Sequence, residues 1–261
     1  MARNGVANYS IACNVRVVVL LRRAGAVMCG LVLLHLPGRA AILIHEYALR
    51  GTLEDSHGHT PLTAFGGDIT ALGYVFAANE GLLFSSRAFT PTNYSIEFSF
   101  QLSSTGGVSK LVDFHNLASD PGLYQTRGTL AFSPTPTAGI PDFQPGKSAH
   151  VVLTRDGATD VVTGYVNGQE RFSFHDHLSL AVPPGFSNKL IFFLNDRKQL
   201  NASGGTLDYL RIFDGALTAG EVRMLFDDGP PIVVPEPSTF ILLTIGTFAA
   251  IAAARRRKGG S

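Results

Sequence analysis

The 261-residue sequence has no tryptophan and only two cysteines, Cys13 and Cys29, both in its first 30 residues. If that segment is removed during export, the mature protein has no thiol and its core alone must hold it together. No cluster of Lys and Arg interrupted by aromatic residues occurs between the two ends of the chain, so nucleic-acid binding is not expected. The chain also lacks a Gly-x-Ser-x-Gly elbow, a phosphate loop and a dinucleotide fingerprint, which argues against those enzyme classes.

Phenylalanine, glycine and proline are abundant, at 18, 28 and 14 residues, which suits many short strands joined by turns. Tyr94–Leu102 and Gly205–Phe213 alternate apolar and polar residues, and Asn167-Gly168 is a favoured hairpin turn. A short helix is predicted after Thr218, with Glu221 completing a capping box. Further strands are predicted at Val108–Phe114, Thr129–Phe132, His150–Thr154, Val161–Val166, Gln169–Phe174 and Leu190–Leu194. The pattern predicts an all-β, antiparallel two-sheet sandwich or jelly roll.

Both ends of the chain are basic and free of acidic residues. Residues 1–40 have Arg22-Arg23 before an apolar stretch and small residues at Gly38 and Ala40, which is typical of a signal peptide cleaved after Ala40. An uncleaved membrane anchor is the alternative. The middle segment between these basic ends has a net negative charge, and this distribution is typical of signals that set the orientation of a chain in the membrane.

The C-terminal end predicts a second membrane signal. Residues 229–237 form a Pro-rich linker, and residues 238–254 are apolar or small enough for a transmembrane helix about 25 Å long. The basic tail 255–261 should stay in the cytoplasm and stop transfer through the membrane. Its charged residues are Arg255, Arg256, Arg257 and Lys258.

The order of Pro235, Glu236, Pro237, a short apolar helix and an Arg-rich end resembles the PEP-CTERM sorting signal of Gram-negative bacteria. The resemblance implies export, an inner-membrane intermediate and processing by an exosortase at or near the Pro-Glu-Pro motif. It also implies a final place in the cell envelope or extracellular matrix, often linked to exopolysaccharide.

Four short motifs in the middle of the chain, in this order, resemble the laminin G-like domains of the concanavalin A-like superfamily. The motifs are Asp55-Ser56-His57-Gly58, Thr154–Gly157, Tyr165–Gly168 and Asp208-x-x-Arg211-Ile212 followed by Ala216-Leu217-Thr218. The resemblance covers roughly residues 42–228, within a predicted domain of residues 41–228. It implies a jelly roll of a dozen or more strands that binds carbohydrate or protein through loops at one rim. The usual Trp of the central strand is replaced, with His150 nearby.

The same superfamily includes glycoside hydrolases, and those of the retaining type need two carboxylates about 5 Å apart. Related glucanases place Glu-x-Asp-x-Glu along one strand, whereas Glu97 stands alone in its predicted strand. We therefore expect a non-enzymatic protein. A purely structural matrix or spacer protein is the alternative, and a distant glycoside hydrolase is a third.

The residues are compatible with two kinds of metal site. The pairs His57 and His59, and His175 and His177, could bind a transition metal if a third ligand were present, or be solvated loop residues. Many laminin G-like jelly rolls bind calcium through oxygen ligands, and Asn195, Asp196 and Asp208 are the candidates here. Turn capping by Asn195-Asp196 and a strand-edge salt bridge at Asp208 are the alternatives.

Overall fold

The computed structural model describes residues 41–135, 139–186, 188–194 and 202–229. The predicted signal peptide, Pro-Glu-Pro motif, transmembrane segment and basic tail lie outside these residues, and so do Asn195 and Asp196. Among the described residues, no helix has the length and hydropathy needed to span a membrane.

Fourteen strands, one α-helix and one short 3₁₀ helix make up the described structure. The strands are β1 Ile42–Tyr47, β2 Thr63–Phe65, β3 Asp68–Thr70, β4 Gly73–Phe76, β5 Gly81–Ser85, β6 Tyr94–Leu102, β7 Val108–Asp113, β8 Gly122–Thr126, β9 Thr129–Ser133, β10 Ala149–Asp156, β11 Val161–Val166, β12 Gln169–His175, β13 Lys189–Phe192 and β14 Gly205–Asp214. The α-helix, α1, spans Ala219–Asp228, and the 3₁₀ helix spans Pro184–Phe186.

The strands form two antiparallel sheets, which confirms the predicted two-sheet jelly roll. The larger sheet has the order β12-β11-β10-β6-β14-β4-β3, and β1 also pairs with β14. The smaller sheet has the order β2-β5-β13-β7-β8-β9. Strand β14, which carries the Asp208-x-x-Arg211-Ile212 motif, is the last strand of the described chain and lies inside the larger sheet, between β6 and β4.

Alternation along β6 separates the core from the outer face of the larger sheet. Ile96, Phe98 and Phe100 point into the main core, while Glu97 and Ser99, one residue out of step, point to the other face. The main core is built largely from phenylalanine, with fully or almost fully buried rings at Phe84, Phe98, Phe100, Phe114, Phe132, Phe192 and Phe193. They pack against one another and against neighbouring rings, for example Phe193 against Phe76 at a centroid distance of 4.4 Å. Phenylalanine therefore provides the aromatic packing of a core that has no tryptophan.

The predicted hairpin turn and helix cap are both confirmed. Asn167 and Gly168 have φ values of 51° and 72°, the left-handed backbone that a two-residue type I′ turn requires. The Thr218 hydroxyl accepts from the Glu221 N–H at 3.3 Å, and the Glu221 carboxylate accepts from the Thr218 N–H at 2.7 Å. Helix α1 buries Val222 on the outer face of the larger sheet. The second, smaller core there contains Val152, Tyr165, Phe213, Leu217 and Val222.

Candidate functional site

A cleft of about 920 Å³ opens where the loop after β1 meets the ends of β5 and β13. Its volume is within the range of about 300–1,000 Å³ typical of small-molecule sites. The lining residues are Gly58, His59, Thr60, Ser85, Ser86, Arg87, Ala88 and Asn188. The lining is rich in hydrogen-bonding side chains, and it lies at one rim of the jelly roll, where the sequence predicted ligand-binding loops.

Hydrogen bonds from buried residues fix the walls of the cleft. The Tyr47 hydroxyl donates to the Thr60 carbonyl at 2.8 Å, tying one wall to the core. On the other wall, the Ser86 N–H donates to the Asn188 carbonyl at 3.3 Å, and the Ser86 hydroxyl accepts from the Ala88 N–H at 3.1 Å. These hydrogen bonds connect both walls of the cleft to the strands and core around it.

Next to the cleft, the predicted Asp-Ser-x-Gly turn closes around the Asp55 carboxylate. The Gly58 N–H donates to the Asp55 carbonyl at 2.9 Å, which makes the turn. Oδ1 of Asp55 accepts from the N–H groups of Glu46 at 2.9 Å and His57 at 3.0 Å. Its Oδ2 lies 2.6 Å from Nδ1 of His45, which is fully buried on β1. One carboxylate thus joins the turn to the first strand.

The protonation of this pair follows from its surroundings. Burial alone would raise the pKa of Asp55, but the N–H groups of Glu46 and His57 and the His45 ring outweigh burial and lower that pKa. Burial lowers the pKa of His45, against the raising effect of its hydrogen bond and charge interaction with Asp55. Both directions favour an ionised carboxylate beside a neutral imidazole, and since such a carboxylate can only accept, Nδ1–H of His45 is then the donor.

His59 brings a second imidazole to this place. Its ring centroid lies 4.8 Å from that of His45, and His59 also lines the cleft. One possible ligand atom from each of His45, Asp55 and His59 lies within 4.8 Å of the others. Sequence reasoning identified His59 and missed His45. The available signal was the position of His45 two residues before Tyr47 and four before Leu49, on the face of the chain that enters the core, where a buried imidazole requires a polar partner.

The other histidine pair has a different environment. Asp176, between His175 and His177, is buried and accepts hydrogen bonds from the N–H groups of Leu180 at 2.7 Å and Ala181 at 3.1 Å. The two histidine rings are exposed and stack at 5.3 Å. Asp176 therefore shapes the following loop.

The calcium prediction stays a prediction, because two of its three residues lie outside the described structure. Asp208 accepts a hydrogen bond from the Ser99 hydroxyl at 2.9 Å, and burial raises the pKa of its carboxyl. Strand β14 lies inside the larger sheet and not at its edge, and the charge of Arg50 lowers the pKa of Asp208 against the larger effect of burial.

Glu97 lies on the outer face of the larger sheet, away from the cleft, and is fully buried. Its carboxylate accepts from Nε2 of His150 at 3.0 Å and from the Tyr209 hydroxyl at 3.1 Å. Nη1 of Arg211 lies 3.5 Å from both of its oxygens, and Nε of Arg211 donates to Glu46 at 2.8 Å. This Glu97 cluster links strands β1, β14, β6 and β10.

Comparison with known families agrees with this architecture. The family model of the concanavalin A-like lectin/glucanases superfamily, Laminin_G_3, matches residues 76–223, more than half of the chain. The chain belongs to this superfamily. The model of the PEP-CTERM protein-sorting motif matches residues 233–258, which confirms the second resemblance and indicates export and membrane-associated sorting in Gram-negative bacteria. No curated protein matches the chain in sequence.

Several solved structures share the fold. Domain 4 of AbnA, a GH43 extracellular arabinanase from Geobacillus stearothermophilus, in complex with arabinotriose, is 21% identical with a TM-score of 0.53. That match covers 71% of this chain and 98% of the domain. Trypanosoma rangeli sialidase is 16% identical with a TM-score of 0.56, covering 73% of this chain and 33% of the sialidase. The binding domain of botulinum neurotoxin serotype D is 12% identical with a TM-score of 0.53, covering 72% and 52%. At these identities the similarity concerns the fold alone, and the chain spans about a third of the sialidase.

Proposed function

We propose that this protein is an exported, non-enzymatic binding protein whose cleft takes a carbohydrate. The observation that carries the proposal is the polar cleft at the rim of the jelly roll. Hydroxyl, amide, imidazole and guanidinium groups converge there, and these are the groups that pair with sugar hydroxyls. The arabinanase domain, which has the same fold over almost its whole length and whose structure contains arabinotriose, supports the proposal.

The charge of the cleft favours an acidic sugar. Arg87 is exposed at the cleft, and its guanidinium forms no ion pair with another described residue. A guanidinium binds carboxylate or sulfate groups through paired hydrogen bonds. The ligand class that suits the cleft best is therefore a polysaccharide with acidic substituents.

The sorting signal supplies the second half of the proposal. An exosortase is expected to process the chain at or near Pro235-Glu236-Pro237, after membrane insertion of the segment that follows. The processed domain then resides in the cell envelope or extracellular matrix, where exopolysaccharide is the partner available to the cleft. Mass spectrometry of the mature C-terminus tests this step, because a terminus near Pro237 supports processing and an intact Ser261 argues for a permanent anchor.

The proposal of a non-enzymatic role is supported by the position of the buried Glu97. Its carboxylate is occupied by His150, Tyr209 and Arg211 on a face remote from the cleft, so it is not available to a substrate there. Retaining glycosidases require a pair of accessible carboxylates at the bond they cleave.

A glycan array that includes acidic polysaccharides tests the function directly. The full-length chain in mild detergent should bind, and Arg87→Ala should weaken binding about tenfold or more, because a charge-assisted hydrogen bond is lost. Lys147→Ala removes the same charge from an exposed position outside the cleft and should bind as the natural chain does. No binding to any glycan would support the spacer role. Release of sugars from the polysaccharide would support an enzyme.

A further inference from the structure

The buried histidine of β1 has one ring nitrogen that the fold leaves without a partner. Nδ1 of His45 is 2.6 Å from the Asp55 carboxylate, but Nε2 has no hydrogen-bond partner in the described structure, although it is shielded from solvent. Leaving a buried polar atom unpaired is unfavourable, so such an atom in a well-formed fold requires an explanation.

The hydrogen bond to Asp55 fixes which nitrogen carries the proton. A carboxylate accepts hydrogen bonds, so Nδ1 of His45 is the donor and Nε2 has the free lone pair. Histidines that bind metals are usually held in this way, with a carboxylate on one nitrogen and the metal on the other. Asp55 is itself held by the N–H groups of Glu46 and His57, so the orientation of the imidazole is firmly set.

A second ligand lies within reach. We propose that His45 and His59 bind a divalent transition-metal ion, with Zn²⁺ as the best match, and that Asp55 orients His45. Zn–N bonds are about 2.0–2.1 Å long, so the two ligand nitrogens must come to about 3.3 Å of each other. One nitrogen of His45 and one of His59 lie within 4.8 Å of each other, and the exposed side chain of His59, in a turn, has room to approach Nε2 of His45.

The metal class follows from the donor atoms. Imidazole nitrogens suit zinc, copper and nickel, whereas calcium requires a shell of oxygen ligands. Because His59 lines the cleft, the remaining coordination positions of the ion would face the cleft and be filled by water or by a bound ligand. Metal binding does not depend on the proposed carbohydrate function, and it is measured without any glycan.

The test is calorimetric titration of Zn²⁺ into the untagged, chelator-treated full-length chain in mild detergent. We expect about one strong site per chain, a loss of at least tenfold in affinity for His59→Ala, and a loss of about 10–100-fold for Asp55→Asn. His59 is exposed, so its variant should fold normally. The matched control is the double variant His175→Ala/His177→Ala, which removes the exposed stacked pair and should keep the strong site.

The unfolding temperature with and without Zn²⁺ tests the proposal even if some variants fold poorly. Excess Zn²⁺ should raise the unfolding temperature of the natural chain by roughly 5 °C or more at a hundredfold excess over Kd. His59→Ala should show little of this rise, and Ca²⁺ should not reproduce it. Equal Zn²⁺ affinity in the natural chain and His59→Ala would overturn the proposal. So would loss of the strong site only in the His175/His177 variant, which would place the metal on the exposed pair.

Discussion

Replacing Glu97 with alanine should destabilise the domain by about 3 kcal/mol or more, because three donors lose one shared acceptor. Removing one partner of a buried ion pair typically costs 3–5 kcal/mol, since the other charge stays buried without compensation. Arg211 keeps its hydrogen bond to Glu46, and their side chains are 13% and 21% exposed, so the lower end of that range applies. Nε2 of His150 and the Tyr209 hydroxyl lose the acceptor that the structure gives them.

The measurement is thermal unfolding of the full-length chain in mild detergent, followed by circular dichroism. For a domain of 150–250 residues, 1 kcal/mol corresponds to about 2–4 °C, so Glu97→Ala should lower the midpoint by roughly 6–12 °C. Glu97→Gln keeps the shape of the side chain and one acceptor oxygen, so it should lower the unfolding midpoint clearly less than Glu97→Ala does.

Glu170→Ala on β12 is the matched control, because this exposed glutamate should change stability by no more than about 0.5 kcal/mol. A midpoint for Glu97→Ala within 2 °C of the natural chain would refute the reasoning that the Glu97 cluster holds the four strands together. It would also favour a chemical role for the Glu97 carboxylate over a structural one.

Three further predictions are independent of this cluster. Deleting residues 235–261 should release the domain as a soluble secreted protein in cell fractionation, and continued membrane retention would identify the N-terminal segment as the anchor. Gly168→Ala should lower the free energy of unfolding by about 1–2 kcal/mol, because φ is +72° and the added Cβ would lie 3.0 Å from Cδ of Arg223. Gly146 has φ +67° with no atom near the position of a Cβ, so Gly146→Ala measures the backbone strain alone. Burial raises the pKa of Asp142 despite the charge of Arg171, so ionisation of Asp142 opposes folding and stability falls as pH rises from about 4 through the raised pKa. Asp142→Asn should remove this decline when unfolding is measured between pH 3 and 7. If the natural chain and the variant differ in stability by the same amount at every pH, Asp142 is not the group responsible.

Eight of the fourteen described strands, β6, β7 and β9–β14, were predicted because local patterns encode them, whereas β1–β5 and β8 were not. The alternation of Tyr94–Leu102 places Phe98 in the core and Glu97 outside it, and the Asn167-Gly168 pair specifies its own turn. The order of strands in each sheet was not accessible in the same way. Strand β14 pairs with β6, β4 and β1, and those contacts join residues more than a hundred positions apart with no local signal.

The candidate site was only half predictable for the same reason. The turn chemistry of Asp55-Ser56-His57-Gly58 is local, so the sequence indicated both the turn and the histidine pair beside it. The third member, His45, lies ten residues before Asp55 on a strand, and only the fold brings the two side chains to 2.6 Å. The sequence showed no further ligand for the pair His57 and His59, and the structure places the imidazole of His45 beside that of His59.

The last described residues, at the end of helix α1, lie away from the cleft. Helix α1 packs on the outer face of the larger sheet, and Phe226 near its end lies 5.8 Å from the His150 ring, which belongs to the Glu97 cluster. The cleft is bounded by the ends of β5 and β13 in the other sheet. Processing beyond Gly229 therefore changes what is attached to the domain without altering a residue that lines the cleft. The proposed binding site and the sorting signal therefore involve different residues, and the Glu97 cluster links strands of the sheet on which α1 packs.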